Sequence, residues 1–239
     1  VGFKIGELSE HEKDTVTGVA ESRILHPESY LVTRIKICGI TRVQDALAVA
    51  RSGADAIGLV FYESSPRCVS IAQAVQLAKA LPPFITVVGL FVNAEAGFVR
   101  DVLAAVPLDV LQFHGDETPE NCEQFNKPYL KAIRVKAGVN LVECAARFST
   151  AQALLLDAYV EGIPGGTGAS FDWALIPNLA LPVVLSGGLD ANNVAAAIRQ
   201  THPYAVDVSS GVEASKGIKD AAKIAAFTKE VKQIDLQLS

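Results

Sequence analysis

From Arg34 onward the apolar and polar positions follow one repeating pattern: a short apolar run, a turn, then a segment with helical periodicity. The first run is Arg34-Ile35-Lys36-Ile37-Cys38, where Ile35 and Ile37 share one face and Lys36 and Cys38 share the other. Further runs fall at residues 54–61, 85–92, 108–113, 129–135, 153–157, 181–185 and 204–208. Between them the spacing predicts helices over 43–52, 71–81, from Asn93 to 105, from Thr118-Pro119, over 141–148, 191–200 and 219–231, and a short one over 173–176. Local signals mark their ends. Thr41 with Gln44 and Ser70 with Gln73 read as capping boxes, Asn93 and Asp190 as N-caps, Pro119 as a first-turn proline and Gly53 as a helix stop. On the first helix Val43, Ala46, Leu47 and Ala50 are expected to form the buried face.

Alternating strand–helix units imply a parallel α/β sheet. Eight of them in roughly 200 residues imply closure into a (β/α)8 TIM barrel. The rival is an open doubly wound sheet, which would carry GxGxxG after the first strand; this chain has Cys38-Gly39-Ile40-Thr41 there. Residues 1–33 are polar, mixed in charge and weakly periodic, with at most a short helix over 7–20, and read as an N-terminal extension that is flexible or non-native. Residues 34–239 are expected to form the single barrel domain. The absence of Met, with Val1 first, reads as a non-ATG start or a fragment edge.

Composition narrows the function classes. Half of the 239 residues are hydrophobic and only 20% are charged, enough for a sizeable core. The net charge is -5 and no basic tract stands out, so nucleic acid and anionic membrane are poor partners. No apolar run is long enough to span a bilayer, and no signal-peptide pattern is present. Cys38, Cys68, Cys122 and Cys144 form no CxxC pair and no Cys/His cluster with zinc-like spacing, so no metal is expected and a reducing, cytoplasmic setting is.

In such a barrel, chemistry sits at the carboxyl ends of the strands. Cys38 ends the first, and Ser65-Pro66-Arg67 follows the second. Gln112 and His114 share a face at the end of the fourth, and Asp157 ends the sixth. Asp207 shares its face with Ser209 on the eighth. An interior holding Lys36, Cys38, Gln112, His114 and Asp157 is costly unless those groups are paired or used. Lys36 reads as a structural cation paired with an interior aspartate. Asp116 and Glu117 read as solvated, Cys68, Cys122 and Cys144 as inert, and Phe171 with Trp173 as anchors for the sixth loop. Three adjacent loops carry glycines: Gly165-Gly166-Thr167-Gly168, Gly187-Gly188 and Ser209-Ser210-Gly211. Each alone makes a tight turn, but three at one barrel end favour a phosphate held by backbone N–H groups.

Taken in order, Lys36-Ile37-Cys38-Gly39-Ile40-Thr41, Ser65-Pro66-Arg67, Leu111-Gln112-Phe113-His114-Gly115, the Gly165–168 loop with Phe171-Asp172-Trp173, Leu185-Ser186-Gly187-Gly188-Leu189 and Val206-Asp207-Val208-Ser209-Ser210-Gly211-Val212-Glu213 resemble the phosphoribosylanthranilate isomerase family. The resemblance covers Arg34 to the C-terminal helix and leaves residues 1–33 outside. It implies a cofactor-free Amadori rearrangement in tryptophan biosynthesis on a small phosphorylated substrate, by a monomer or homodimer. It further implies Cys38 as general base, Asp157 as general acid and Arg67 as the group holding the anthranilate carboxylate. Gly166, Thr167, Gly168, Gly187, Gly188, Ser209, Ser210 and Gly211 would hold the phosphate, with Gln112, His114 and Asp207 as further substrate contacts. A thiolate base needs nearby positive charge, for which Lys36 and Arg67 are the cations at hand. The alternatives are a related sugar-phosphate isomerase of histidine biosynthesis, which usually ends its first strand in aspartate; a non-catalytic phosphate-binding barrel; and one module of a longer bifunctional chain.

Overall fold

Eight parallel strands follow one another around a closed ring, and β8 hydrogen-bonds back to β1. The computed structural model describes residues 32–136, 138–158 and 172–238. In chain order the first half holds β1 (Arg34–Cys38), α1 (Val43–Ser52), β2 (Ala56–Val60), α2 (Ile71–Ala80), β3 (Thr86–Phe91), α3 (Ala96–Ala105), β4 (Val110–Phe113) and α4 (Pro119–Glu123). The second half holds β5 (Tyr129–Val135), α5 (Leu141–Arg147), β6 (Ala153–Ala158), a 3-10 turn at Trp173–Leu175, β7 (Val183–Leu185), α6 (Val194–Thr201) and β8 (Ala205–Val208). A short antiparallel hairpin, β9 (Glu213–Ser215) and β10 (Ile218–Lys219), then precedes α7 (Ala221–Leu238). This is the (β/α)8 barrel expected. Among the described residues no helix is long and apolar enough to cross a membrane.

Strand alternation divides the side chains into two sets. Outward residues such as Ile35, Ile37, Ile57, Leu59, Leu111, Leu154, Leu156 and Val206 join the helices in one continuous apolar layer. Inward residues stack along the barrel axis. Ala132, Ala153, Leu155, Val184 and Ala205, with Leu130 against them, fill the amino-terminal end. Cys38, Val60 and Leu90 form a separate apolar group near the carboxyl-terminal mouth. Polar Lys36, Gln112 and Asp207 are also buried, at 4%, 0% and 5% exposure. The ring is tied further by Thr33, whose N–H and hydroxyl both donate to Asp235 near the end of α7, at 2.8 and 2.7 Å.

Several helix starts differ from the sequence expectation, each because a polar group has a distant partner. The Ser70–Gln73 capping box forms as expected, Thr118 caps α4 with Pro119 in its first turn, and Gly53 ends α1. Thr41 does not cap α1: its hydroxyl donates to the Gly217 carbonyl at 2.5 Å, and Arg42 takes the cap position. The buried face of α1 is Asp45, Ala46 and Val49, while Val43 is exposed. Asp45 can be buried because it accepts from Arg42 and from the Lys219 N–H. Asn93 does not cap α3, which starts after Glu95; its side chain accepts from the Asp116 N–H instead. Asp190 accepts from the N–H groups of Asn192 and Asn193 in the turn before α6, which begins at Val194.

Glu117 is a correction of another kind. It is not solvated: it is 8% exposed and paired with Lys131 at 2.8 Å, and it also accepts from the N–H groups of Asn93 and Gly115. Two backbone N–H donors and a cation offset the cost of burying the carboxylate. Asp116 is exposed, as expected, and Trp173 packs half-buried against the strand–helix core. Phe171 lies outside the described residues, as does the possible helix over 7–20.

Leu155 is fully buried in the amino-terminal layer of the barrel. Leu155→Ala is expected to lower unfolding free energy by roughly 2–5 kcal/mol in a urea titration, because the rigid ring of strands cannot collapse onto the void.

Candidate active site

The carboxyl-terminal mouth encloses a cavity lined by Cys38, Arg67, Gln112, His114, Asp157 and Asp207, together with residues of the loops after β7 and β8. Each reaches it for a local reason. Cys38 is the last residue of β1, on the inward face that Lys36 begins. The β1–β2 register places Cys38 beside Gly58, where a Cβ would lie 2.7 Å from the Cys38 sulfur. Only glycine on β2 leaves room for the thiol to point inward. Arg67 follows a tight turn in which the Ser65 N–H donates to the Tyr62 carbonyl at 2.9 Å and the Cys68 N–H to the Ser65 carbonyl at 3.0 Å.

The carboxyl and imidazole groups form one chain across the barrel. His114 Nε2 lies 3.2 Å from Asp157 Oδ2, and Gln112 Nε2 lies 3.0 Å from His114 Nδ1. With Gln112 donating to Nδ1, the ring carries its proton on Nε2 and donates it to Asp157. All three side chains are buried, with Gln112 and His114 two residues apart on one face at the end of β4.

Asp207 lines the cavity and is already paired within the barrel. It accepts from Lys36 Nζ at 2.8 Å and lies 3.4 Å from the Ser186 hydroxyl. The expectation that Lys36 pairs with an interior aspartate holds. Burial lowers the Lys36 pKa, but Asp207 and Cys38 together more than offset it and hold the lysine above its usual value. Cys38 sits in a mixed field. Burial pushes the thiol pKa up; Lys36 pulls it down, Asp207 opposes that, and Lys219 pulls it down further. The net shift is upward.

Arg67 is buried, at 8% exposure, and its Nε and Nη2 hold Glu213 at 2.7 and 2.8 Å. The sequence shows Glu213 only as the end of a motif and Lys219 only as the start of the last helix, whereas Lys219 lies in β10 and the helix begins at Ala221. The signal for Glu213 lay in the eighth-strand motif itself. Lys219 is brought in by the β9–β10 hairpin, which short polar runs do not announce.

The loop glycines divide. Gly187 and Gly188 line the cavity and take φ of 88° and 63°, a left-handed pair that turns the chain sharply after β7. Ser209 and Ser210 also line it. Gly211 does not: it lies in the 3-10 turn at Ser210–Val212, where a Cβ would collide with the Leu189 carbonyl oxygen, so it lets the eighth loop pack on the seventh. Gly166, Thr167 and Gly168 lie outside the described residues. Among the described residues no group of three His, Cys, Asp or Glu side chains is arranged to hold a metal.

The family model for N-(5'phosphoribosyl)anthranilate (PRA) isomerase matches residues 35–230. An N-(5'-phosphoribosyl)anthranilate isomerase of Pseudomonas paraeruginosa is 62% identical over 200 residues, covering 83% of this chain and 95% of that protein. The crystal structure of phosphoribosyl anthranilate isomerase from Thermotoga maritima superposes with a TM-score of 0.78 at 41% identity, covering 84% of this chain and all of that one. A further structure of the isomerase, at 40% identity and TM-score 0.75, covers 84% of this chain and 100% of its own; it is a complex with reduced 1-(o-carboxyphenylamino)-1-deoxyribulose 5-phosphate. A barrel whose mouth gathers Cys38, Arg67 and Asp157 therefore has close counterparts along nearly its whole length, and the chain belongs to the N-(5'-phosphoribosyl)anthranilate isomerase family.

Proposed function

We propose that this chain, as a monomer or homodimer, converts N-(5'-phosphoribosyl)anthranilate into 1-(2-carboxyphenylamino)-1-deoxyribulose 5-phosphate, an aldose–ketose isomerisation of tryptophan biosynthesis. The observation that carries the reading is the meeting of a thiol from β1 and a carboxyl from β6 in one cavity. A family relative holding the reduced product analogue supports it.

The chemistry suits these groups. Asp157 is assigned the general acid: it delivers a proton to the ring oxygen as the C1–O bond breaks and the iminium forms. His114, held by Gln112, donates to Asp157 and fixes its orientation. Cys38 is assigned the general base: its thiolate removes the proton from C2, giving an enolamine. That species tautomerises to the C2 ketone with a proton returned at C1, so the sequence is a net isomerisation. Burial makes Cys38 a stronger base when it is ionised, while Lys36 and Lys219 keep the thiolate accessible. Arg67 is assigned the anthranilate carboxylate. The phosphate is assigned to the backbone of Gly187-Gly188 and Ser209-Ser210, with Gly166, Thr167 and Gly168 from the sixth loop as proposed partners.

Three outcomes test this. Purified protein should consume phosphoribosylanthranilate, read as loss of its fluorescence, without added metal or nucleotide; folded protein with no turnover would sink the reading. Cys38→Ala and Asp157→Asn should each lower kcat by roughly 10²–10⁴-fold while inhibition by inorganic phosphate stays nearly unchanged. A fully active Cys38→Ala would remove Cys38 from its role. Alkylation of Cys38 by iodoacetamide, followed by peptide mass spectrometry, should have its pH midpoint above the free-thiol value of about 8.5, because the folded protein disfavours the thiolate. Lys36→Met removes the largest opposing cation and should move that midpoint higher still; a downward move would contradict the electrostatic account.

A further inference from the structure

We propose that Glu213 is the positioning residue for Arg67: its carboxylate, carried on the β9–β10 hairpin and shared with Lys219, fixes the guanidinium so that one nitrogen edge faces the cavity. The inference rests on the isomerase reading and extends it to a residue that does not touch substrate.

The geometry carries it in three steps. First, Glu213 engages only one edge of the guanidinium. Its Oε1 accepts from Arg67 Nε at 2.7 Å and its Oε2 from Nη2 at 2.8 Å. A guanidinium presents two bidentate edges, and a carboxylate on the Nε–Nη2 edge leaves the Nη1 side for a second planar anion. Among the described residues Nη1 makes no hydrogen bond, although Arg67 is buried and lines the cavity. Second, the arginine stem passes close against Gly39. Its Cδ lies so close to Gly39 that a Cβ there would collide with it. Stem and guanidinium are thus both confined, and a ligand need not spend binding energy ordering them.

Third, Glu213 is over-supplied with positive partners. Oε1 also accepts from Lys219 Nζ at 3.0 Å and from the Gly217 N–H at 3.3 Å. One buried carboxylate therefore faces two buried cations, and the cluster keeps an excess positive charge beside the cavity. Two cations on one carboxylate suit a site that receives a further anion. Lys219 also donates to the Ser209 carbonyl at 2.9 Å and hydroxyl at 3.3 Å, and the Ser209 hydroxyl donates to the Cys38 carbonyl at 3.1 Å. The cluster that orients Arg67 is thereby anchored to the strand end that carries the thiol.

The test is a double-mutant cycle on the full chain. Glu213→Gln should raise KM for phosphoribosylanthranilate by about tenfold or more with a smaller change in kcat, because carboxylate recognition is lost rather than the proton transfers. The inhibition constant of inorganic phosphate should stay within about threefold, which a general loosening of the mouth would not allow. In an Arg67→Ala background the same substitution should cost almost nothing further, since the residue it positions is gone. An equal loss in both backgrounds, or an unchanged KM, overturns the proposal. If Glu213→Gln does not fold with two unbalanced cations, Glu213→Gln/Lys219→Met restores the original cluster charge and carries the same expectations for KM and for phosphate inhibition, with a further fall in kcat because Lys219 no longer supports the thiolate. Failure of both to fold would mark the cluster as a folding element and also overturn it. Wild-type protein without turnover would instead defeat the isomerase reading, so the two failures are distinguishable.

Discussion

The barrel depends on the seam where β8 meets β1. Arg34, Ile35, Lys36 and Ile37 register against Ala205, Val206, Asp207 and Val208 there, closing a ring whose ends are 171 residues apart at the Lys36–Asp207 pair. That pair lies inside the barrel, almost without solvent. Two charges in such a place are tolerable only together, since either one alone would carry a desolvation cost of several kcal/mol. Register and electrostatics therefore enforce each other: a slip of one residue along β1 would turn Lys36 out into the apolar strand–helix layer and leave Asp207 unpaired.

The same pair governs the thiol two residues further along β1. Burial alone would make Cys38 a poor source of thiolate, and Asp207 adds to the difficulty. Lys36 counters both, and Lys219 contributes as well. Of the two cations expected from sequence, Lys36 acts most strongly on the thiol, and Arg67, held on one edge by Glu213, also interacts with it. Space is set as strictly as charge, because Gly58 on the neighbouring strand is what lets the sulfur lie inside the ring.

How far the site was legible depends on the kind of contact involved. Cys38, His114 and Asp157 stand at strand ends and Arg67 in the turn after one, and both can be found from the alternation of apolar runs and turns. Glu213 and Lys219 belong to a hairpin only a few residues long, without an apolar face to mark it. Thr41, Asn93 and Asp190 looked like caps because side chains of that kind at those places usually are; Thr41 and Asn93 were taken by backbone partners elsewhere, and Asp190 closes a turn three residues early. Glu117 looked solvated because nothing near it in sequence revealed Lys131, which comes from the outer face of β5.

By itself, then, the sequence determined the class of fold and the ends at which chemistry could sit. Those follow from periodicities of two and 3.6 residues, which are properties of local backbone geometry. The tertiary structure alone decided which charges meet: Lys36 with Asp207, Arg67 with Glu213 and Lys219, His114 with Asp157. Pairing in a buried interior is set by ring closure and strand register across more than a hundred residues of chain in the first two of those contacts, and no local pattern records that.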